Sequence, residues 1–195
     1  RLFLHFGYVP APHTLLQGIR KLPAGHLLVS DANGARISQY YQATPPMAAP
    51  ISLDEATDRY VHLVGESVRR QLMGDVPVGL LLSGGVDSAL VLAEAQRVTD
   101  KPIPSFTVGF GDQFDQDEMA AAAQSAALLG ADHRPIELAL DSFEVFESSL
   151  WHLEEPVLSQ STFAFQLMTA EVAKHVKVVL TGQGVDELWA GYDRY

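Results

Sequence analysis

The sequence predicts an α/β protein in which a parallel sheet carries helices on both faces, preceded by a smaller region. Beyond Gly74, short apolar segments alternate with segments of helical spacing, and this alternation is typical of parallel sheets. Two of the apolar segments lead directly into glycine-rich turns. A stretch rich in small residues and proline at 43–52 is predicted to be an extended linker that separates the two regions.

The region before the linker contains one clear turn signal. The pair Asn33-Gly34 is favoured in two-residue turns that join antiparallel strands. We therefore predict that residues 25–29 and 36–40 form a β-hairpin.

After the linker, Ser52 and Glu55 match a capping box, which indicates the start of a helix predicted over 53–73. Several side chains with helical spacing share one face of this helix and are expected to pack on the core. They are Ala56, Tyr60, Leu63, Val64, Val68 and Leu72.

The alternating region then continues to the end of the chain. Its apolar runs are short, as in buried strands, and the segments between them have helical spacing. We predict strands at 78–82, 105–110, 133–138 and 177–180, and helices at 88–98, 118–129, 142–152 and 163–175.

Composition excludes several classes of function. The chain has 195 residues and no cysteine, which excludes disulfides, thiolate metal sites and a cysteine nucleophile from it. A formal charge of −11 opposes nucleic-acid binding. The sequence has no apolar run of about 18 residues and no secretory signal pattern, so we expect no membrane partner and a cytoplasmic location.

The first glycine-rich turn has the sequence SGGVDS at 83–88, between the predicted strand 78–82 and helix 88–98. Adjacent glycines allow the backbone to approach an anion closely, and the N-terminus of the following helix offers free N–H groups. The hydroxyls of Ser83 and Ser88 add further donors. The spacing and the missing lysine exclude a Walker A loop, so we predict phosphate binding of a different kind.

The second turn has the sequence TGQGVDELWAGY at 181–192 and follows the predicted strand 177–180. Ligands of open parallel sheets bind beyond the carboxyl ends of the strands, so both turns can face one nucleotide. Asp87 and Asp186 could then share a Mg²⁺ ion, which prefers carboxylate and phosphate oxygens.

The SGGVDS turn resembles the PP-loop of the ATP pyrophosphatase superfamily, whose members have the adenine-nucleotide-α-hydrolase-like (HUP-like) fold. With the FTVGF segment at 106–110 and the second turn, the sequence resembles the synthetase domain of class II, glutamine-hydrolysing asparagine synthetases. Near the N-terminus, GYVPAP at 7–12, GIRKLPAGH at 18–26 and Tyr40-Tyr41 resemble the junction with the family's glutaminase domain.

The resemblance implies a domain organisation. Residues 1–42 would be the C-terminal edge of a glutaminase domain, 43–52 a linker, and 53–195 an ATP-binding synthetase domain truncated at its C-terminus. The chain starts with Arg1 and ends soon after the second turn, so we expect a piece of a longer protein.

The resemblance also implies roles for individual residues. Asp87, Asp186 and Gln183 would be catalytic, and Asp87 and Asp186 would bind Mg²⁺. The turn Glu154-Glu155-Pro156, before the segment 159–162, is a weaker candidate for a substrate contact. The implied ATP-binding residues are Leu81, Ser83, Gly84, Gly85, Val86, Asp87, Ser88, Val108, Thr181 and Gly182.

The implied reaction is the activation of a carboxylate, most directly aspartate, as an acyl-adenylate with release of pyrophosphate. Ammonia derived from glutamine would then form the amide. The implied small molecules are ATP, Mg²⁺, aspartate or another carboxylate, and ammonia. A homodimer is one candidate assembly.

One departure from the family leaves alternatives open. The family usually has glutamate where this chain has Gln183, and an amide cannot act as a general base. The acceptor could therefore be a sugar acid, a peptide or a β-amino acid. A tRNA-modifying PP-loop enzyme is disfavoured by the acidic charge, and a nucleotide-binding module without catalysis is the alternative of another class.

His133, His152 and His175 have no partner at ligand spacing, so we expect surface or helix-end roles.

Overall fold

The computed structural model describes residues 1–43, 50–109, 116–138, 142–156 and 160–192. Contacts divide the chain into two compact units, Arg1–Pro50 with Ser142–Phe163, and Ile51–Asp141 with Ala164–Tyr195. The first division lies within the predicted linker, whose residues 44–49 are outside the described ranges. Residues 142–163 group with the first unit, although the predicted synthetase domain 53–195 includes them. The assignment of residues 1–42 to a glutaminase domain stays a prediction.

The first unit contains the predicted hairpin. Strands β1 (His26–Asp31) and β2 (Gly34–Gln39) pair antiparallel, with Asp31 opposite Gly34. The two turn residues are therefore Ala32 and Asn33, one position earlier than the predicted Asn33-Gly34 pair. Gly34 has φ of 114°, a conformation that glycine adopts at little cost. The unit also contains helix α1 (Leu2–Phe6), which was not predicted, and helix α5 (Ser142–Leu153).

The second unit has the predicted alternation of strands and helices, with boundaries that differ from the predicted ones by a few residues. Among the residues of this unit that the structure describes, helix α7 is the one element that was not predicted. Helix α6 begins in the first unit and belongs to the second from Ala164 onward. In chain order, the elements are α2 (Leu53–Gln71), β3 (Val78–Leu81), α3 (Val86–Arg97), β4 (Pro104–Gly109), α4 (Gln116–Leu129), β5 (Asp132–Glu137), α6 (Gln160–Val172), β6 (Val178–Leu180) and α7 (Val185–Trp189).

The start of α2 agrees with its sequence signal. The Ser52 hydroxyl accepts a hydrogen bond from the Glu55 backbone N–H at 3.1 Å, as the capping box predicts. Val64, Val68 and Leu72 pack on the core, whereas Leu63, which was expected on the same face, is 56% exposed.

Strands β3 to β6 form one parallel sheet in the order β5-β4-β3-β6. One face of the sheet, with Leu80 and Leu180, packs against Val68 of α2, Leu92 of α3 and Ala122 of α4. The other face carries a cluster that includes Phe106, Val172 and Val176. The predicted fold class, a parallel sheet with helices on both faces, is confirmed.

The strand order creates a switch point beside β3. From β3 the chain adds β4 and then β5 along one edge of β3, and β6 later pairs with the opposite edge of β3. At such a position the loops after two neighbouring strands diverge and leave a crevice at their carboxyl ends. Here those two loops are the two glycine-rich turns.

Candidate nucleotide site

The first turn is closed by hydrogen bonds between its own two serines. The Ser88 hydroxyl accepts from the Ser83 backbone N–H at 3.1 Å and lies 2.9 Å from the Ser83 hydroxyl. The Ser83 hydroxyl in turn accepts from the Gly85 N–H at 3.2 Å. Ser88 is only 4% exposed, so these bonds join the end of β3 firmly to the start of α3.

Helix α3 points its N-terminus at the end of the sheet. Its N-cap residue is Gly85, which offers no side chain to cap the first-turn N–H groups, and Asp87 lies in that first turn. Free N–H groups and the positive end of the helix dipole attract phosphate. The geometry therefore suits an anion bound beside Ser83 and Gly85.

The second turn has fewer bonds of its own. The Thr181 hydroxyl accepts from the Gln183 N–H at 3.0 Å, and Gly184 has φ of 100° at the N-cap of α7. Asp186 lies in the first turn of α7. A Cβ at position 191 would lie 2.1 Å from its Oδ1 atom, so glycine at 191 leaves room for the Asp186 carboxylate.

The two turns touch each other at Gly182. A Cβ at position 182 would lie 2.6 Å from the Ser88 nitrogen and 2.8 Å from the Asp87 carbonyl carbon. Both are backbone atoms of the first turn of α3, so they cannot rotate away. Glycine at 182 therefore allows the two turns to pack directly on each other.

The two turns line one open cavity of about 310 Å³. Asp87 and Asp186, one from each turn, both face it and are partly buried. Most of the residues that the sequence singled out line this cavity, although their roles stay predictions. They are Leu81, Ser83, Gly85, Asp87, Ser88, Val108, Thr181, Gly182, Gln183 and Asp186.

Two of the predicted nucleotide-binding residues do not line the cavity. Gly84 packs against α4, because a Cβ there would lie 3.1 Å from the Ala121 Cβ and 3.1 Å from the Glu118 Cα. The side chain of Val86 is directed to solvent and is 79% exposed. Glycine at 84 therefore allows the first turn and helix α4 to approach each other closely.

Several residues that line the cavity were not predicted from the sequence. Phe106 and Thr107 lie in the FTVGF segment, where only Val108 had been selected, and the Thr107 hydroxyl donates to the Leu82 carbonyl at 2.7 Å. Phe110 of this segment is outside the described residues. Tyr192 was part of the second motif without a role. The other missed residues are Leu82, Glu118, Phe165 and Met168, and only the fold brings Phe165 and Met168 of α6 to the site.

The arrangement of carboxylates fits a magnesium ion that is bound together with a nucleotide. In the described part of the chain, no three His, Cys, Asp or Glu side chains are grouped as a metal site. Mg²⁺ is usually held by one or two carboxylates, with substrate phosphates and water as the other ligands. Asp87 and Asp186 could supply two such ligands in a cavity with room for phosphate oxygens.

The weaker candidate, Glu154-Glu155-Pro156, lies in the first unit. The Glu155 carboxylate forms an ion pair with Lys21 at 2.6 Å, and the Lys21 ammonium also donates to the Val9 carbonyl at 2.8 Å. This pairing gives Glu155 a structural role. A substrate contact there stays a prediction, and residues 157–159 are outside the described ranges.

The three histidines have ordinary surroundings. His152 is exposed in the last turn of α5. His175 is also exposed, follows α6 and stacks on Phe106 with ring centroids 5.6 Å apart. His133 lies in β5, 3.4 Å from the Ser105 hydroxyl, and burial lowers its pKa.

Within the described ranges, no helix is long and apolar enough to cross a membrane.

Comparison with known proteins identifies the family. Residues 59–195 match the family described as "Asparagine synthase". A Mycobacterium bovis protein named "putative asparagine synthetase (glutamine-hydrolyzing)" is 36% identical over 195 residues, covering 96% of this chain and 29% of that protein. "Amidase chyE" of Penicillium rubens is 31% identical, covering 93% of this chain and 30% of that protein.

Among solved structures, an NH₃-dependent NAD synthetase from Campylobacter jejuni has a TM-score of 0.45 and 20% identity, covering 73% of this chain and 62% of that one. The chain thus spans about 30% of the length of the two curated relatives described above. Because the family match covers most of the chain, this protein belongs to the asparagine synthase family.

Proposed function

We propose that this chain is the ATP-binding part of an amide-forming synthetase. It would activate a carboxylate, with aspartate as the first candidate, as an acyl-adenylate that glutamine-derived ammonia converts to the amide. The observation that carries this proposal is the direct contact between the two glycine-bearing turns, with one carboxylate from each facing a single cavity. Membership of the asparagine synthase family supports it.

In the proposed first step, an oxygen of the acceptor carboxylate bonds to the α-phosphorus of ATP. The bond between this phosphorus and the bridging oxygen breaks, and pyrophosphate leaves. The first-turn N–H groups of α3 and the hydroxyls of Ser83 and Ser88 would bind the departing phosphates. Asp87 and Asp186 would hold Mg²⁺, which offsets the negative charge that develops on pyrophosphate.

In the second step, ammonia bonds to the acyl carbon and AMP leaves with the electrons of the carbon–oxygen bond. The nitrogen must then lose a proton. Gln183 lines the cavity, but its amide cannot accept that proton. It would orient the acceptor by hydrogen bonding, and the proton would pass to a second ammonia molecule or to water.

The test is pyrophosphate release by the full-length protein with ATP, Mg²⁺, aspartate and ammonia. We expect Asp87→Ala and Asp186→Ala each to reduce the rate by about 100-fold or more, as the loss of a group that stabilises developing charge does. Asp100→Ala is the matched control, because Asp100 is exposed beyond the C-terminal end of α3. Undiminished release in both site variants would contradict the proposed site.

Gln183 favours one alternative, a synthetase that acts on a different carboxylate. Its amide can donate and accept hydrogen bonds, and a relative of this chain is named an amidase. Sugar acids, short peptides and β-amino acids are the acceptors to compare with aspartate by AMP formation. Faster AMP formation with one of them would identify the alternative, whereas a preference for aspartate would exclude it.

A further inference from the structure

Helix α7 carries a proposed metal ligand but has little packing of its own. It contains five residues, and none of them is buried. Helices of this length do not persist without tertiary contacts. The position of Asp186 therefore depends on contacts that other elements make with α7.

One such contact joins α7 to α2. The rings of Trp189 and Tyr60 lie 5.8 Å apart between centroids, at an interplanar angle of 87°. This edge-to-face geometry is the favoured arrangement of two aromatic rings. Trp189 follows Asp186 by three residues, so both side chains lie on the same side of α7.

Tyr60 belongs to the stripe that anchors α2 in the core. Tyr60, Val64, Val68 and Leu72 follow one another at four-residue spacing, which places them on one face of the helix. The last three pack on the sheet, whereas Tyr60 contacts Trp189. The same face of α2 that packs on the core thus also supports α7.

We propose that Tyr60 and Trp189 are positioning residues, which hold α7 so that the Asp186 carboxylate faces the nucleotide cavity. This inference rests on the proposed function, because it assigns the pair to the metal ligand of that site. Neither ring needs to touch the nucleotide. The pair acts by reducing the number of positions that Asp186 can occupy before the metal and the nucleotide bind.

The binding test uses the full-length protein and a non-hydrolysable ATP analogue, titrated with Mg²⁺. Tyr60→Ala and Trp189→Ala are expected to raise the half-saturating Mg²⁺ concentration by roughly two- to tenfold, the range that an aromatic pair supports. Tyr60→Phe keeps the ring and should restore binding to within about twofold. Leu188→Ala is the control on the same helix, since Leu188 is 82% exposed, and it should change nothing.

Hydrogen exchange of the amides at 185–190, without nucleotide or metal, supplies a second and independent measurement. It should speed up in Tyr60→Ala and remain unchanged in Tyr60→Phe and Leu188→Ala, because local opening increases when a packing contact is lost. Unchanged exchange and unchanged Mg²⁺ dependence in Tyr60→Ala would overturn the inference. An Asp186→Asn variant with an unaltered Mg²⁺ midpoint would instead overturn the metal site of the proposed function, and the exchange rates would still decide whether Tyr60 holds α7.

Discussion

The two glycine-bearing turns of the site are built in different ways. The first turn is closed by its own residues, with hydrogen bonds between Ser83, Gly85 and Ser88, and it continues into a helix of 12 residues. The second turn has hydrogen bonds from the Gln183 N–H to the Thr181 hydroxyl and from the Tyr192 hydroxyl to the Glu187 carboxylate, and it contains the five-residue helix α7, none of whose residues is buried. The first turn is therefore preorganised locally, whereas the position of the second turn also depends on contacts with neighbouring elements.

This difference predicts different properties for the two turns. A preorganised turn can bind an anion such as phosphate without a large ordering cost, whereas a turn that its neighbours position is sensitive to changes in those neighbours. Glycine at 182 permits direct backbone contact between the two turns. The following changes test the difference between the turns, from the largest expected effect to the smallest.

Gly182→Ala should have the largest effect. Its Cβ would lie within 2.8 Å of two backbone atoms in α3, so the turns must separate. We expect a loss of about 2–3 kcal/mol in the free energy of unfolding, typical of overpacking, and a loss of ATP binding. Urea unfolding and calorimetric titration measure the two effects. Gly74→Ala, where a Cβ would meet nothing within 4 Å, is the control, and equal behaviour of the two variants would contradict the contact.

Ser88→Ala removes the hydroxyl on which the first turn closes. The Ser83 N–H would lose its acceptor in a partly buried hydrogen bond, and a typical intramolecular hydrogen bond contributes about 0.5–1.5 kcal/mol to stability. The loss should appear in urea unfolding of the ligand-free protein. A change below about 0.5 kcal/mol would mean that the first turn is not held by its own serines.

Thr181→Val makes the corresponding change in the second turn. The hydroxyl accepts from Gln183 in an exposed position, where water can replace it, so the expected loss is about 0.5 kcal/mol or less. Urea unfolding alongside Ser88→Ala gives a direct comparison of the two turns. A larger loss for Thr181→Val than for Ser88→Ala would reverse the comparison.

His133, in β5 and outside both turns, should give the smallest effect, visible only through pH. Burial lowers its pKa in the folded protein, so the unfolded chain binds the proton more readily once the pH falls below the ordinary value of about 6.5. The stability that arises from this lowered pKa is fully present above about pH 6.5 and is lost as the pH falls further. His133→Gln should therefore lose less stability than the wild type between pH 7.5 and 5.5, as measured by urea midpoints. A His133→Gln curve that follows the wild type across this range would contradict this assignment.

Much of the fold followed from local signals in the sequence. The alternation of apolar runs and helical spacing predicted the four strands of the parallel sheet that the structure describes, and Ser52 predicted the start of α2. Asn33-Gly34 predicted the hairpin, although its turn lies one residue earlier. Helices α1 and α7 were missed because five residues are too few to show helical periodicity. The grouping of residues 142–163 with the first unit depends on contacts distant in sequence, such as Lys21 with Glu155.

The site was predictable where glycine and acidic residues follow strands, because strand ends meet at one edge of a parallel sheet. Phe165 and Met168 were not predictable, since nothing in α6 distinguishes the face that lines the cavity from an ordinary core face. The proposed role of Tyr60 was not predictable for the same reason. Tyr60 belongs to an apolar stripe, and its partner Trp189 is 129 residues later in the chain.

The proposed function requires that both turns together hold one nucleotide. The most direct measurement is a double-mutant cycle on binding of a non-hydrolysable ATP analogue with Mg²⁺, with Asp87→Asn, Asp186→Asn and the double variant in the full-length protein. Two carboxylates that share one metal should be coupled, so the free-energy losses of the single variants should differ from additivity by about 1 kcal/mol or more. Losses that add within about 0.3 kcal/mol would show that the two carboxylates act independently and would contradict a shared site.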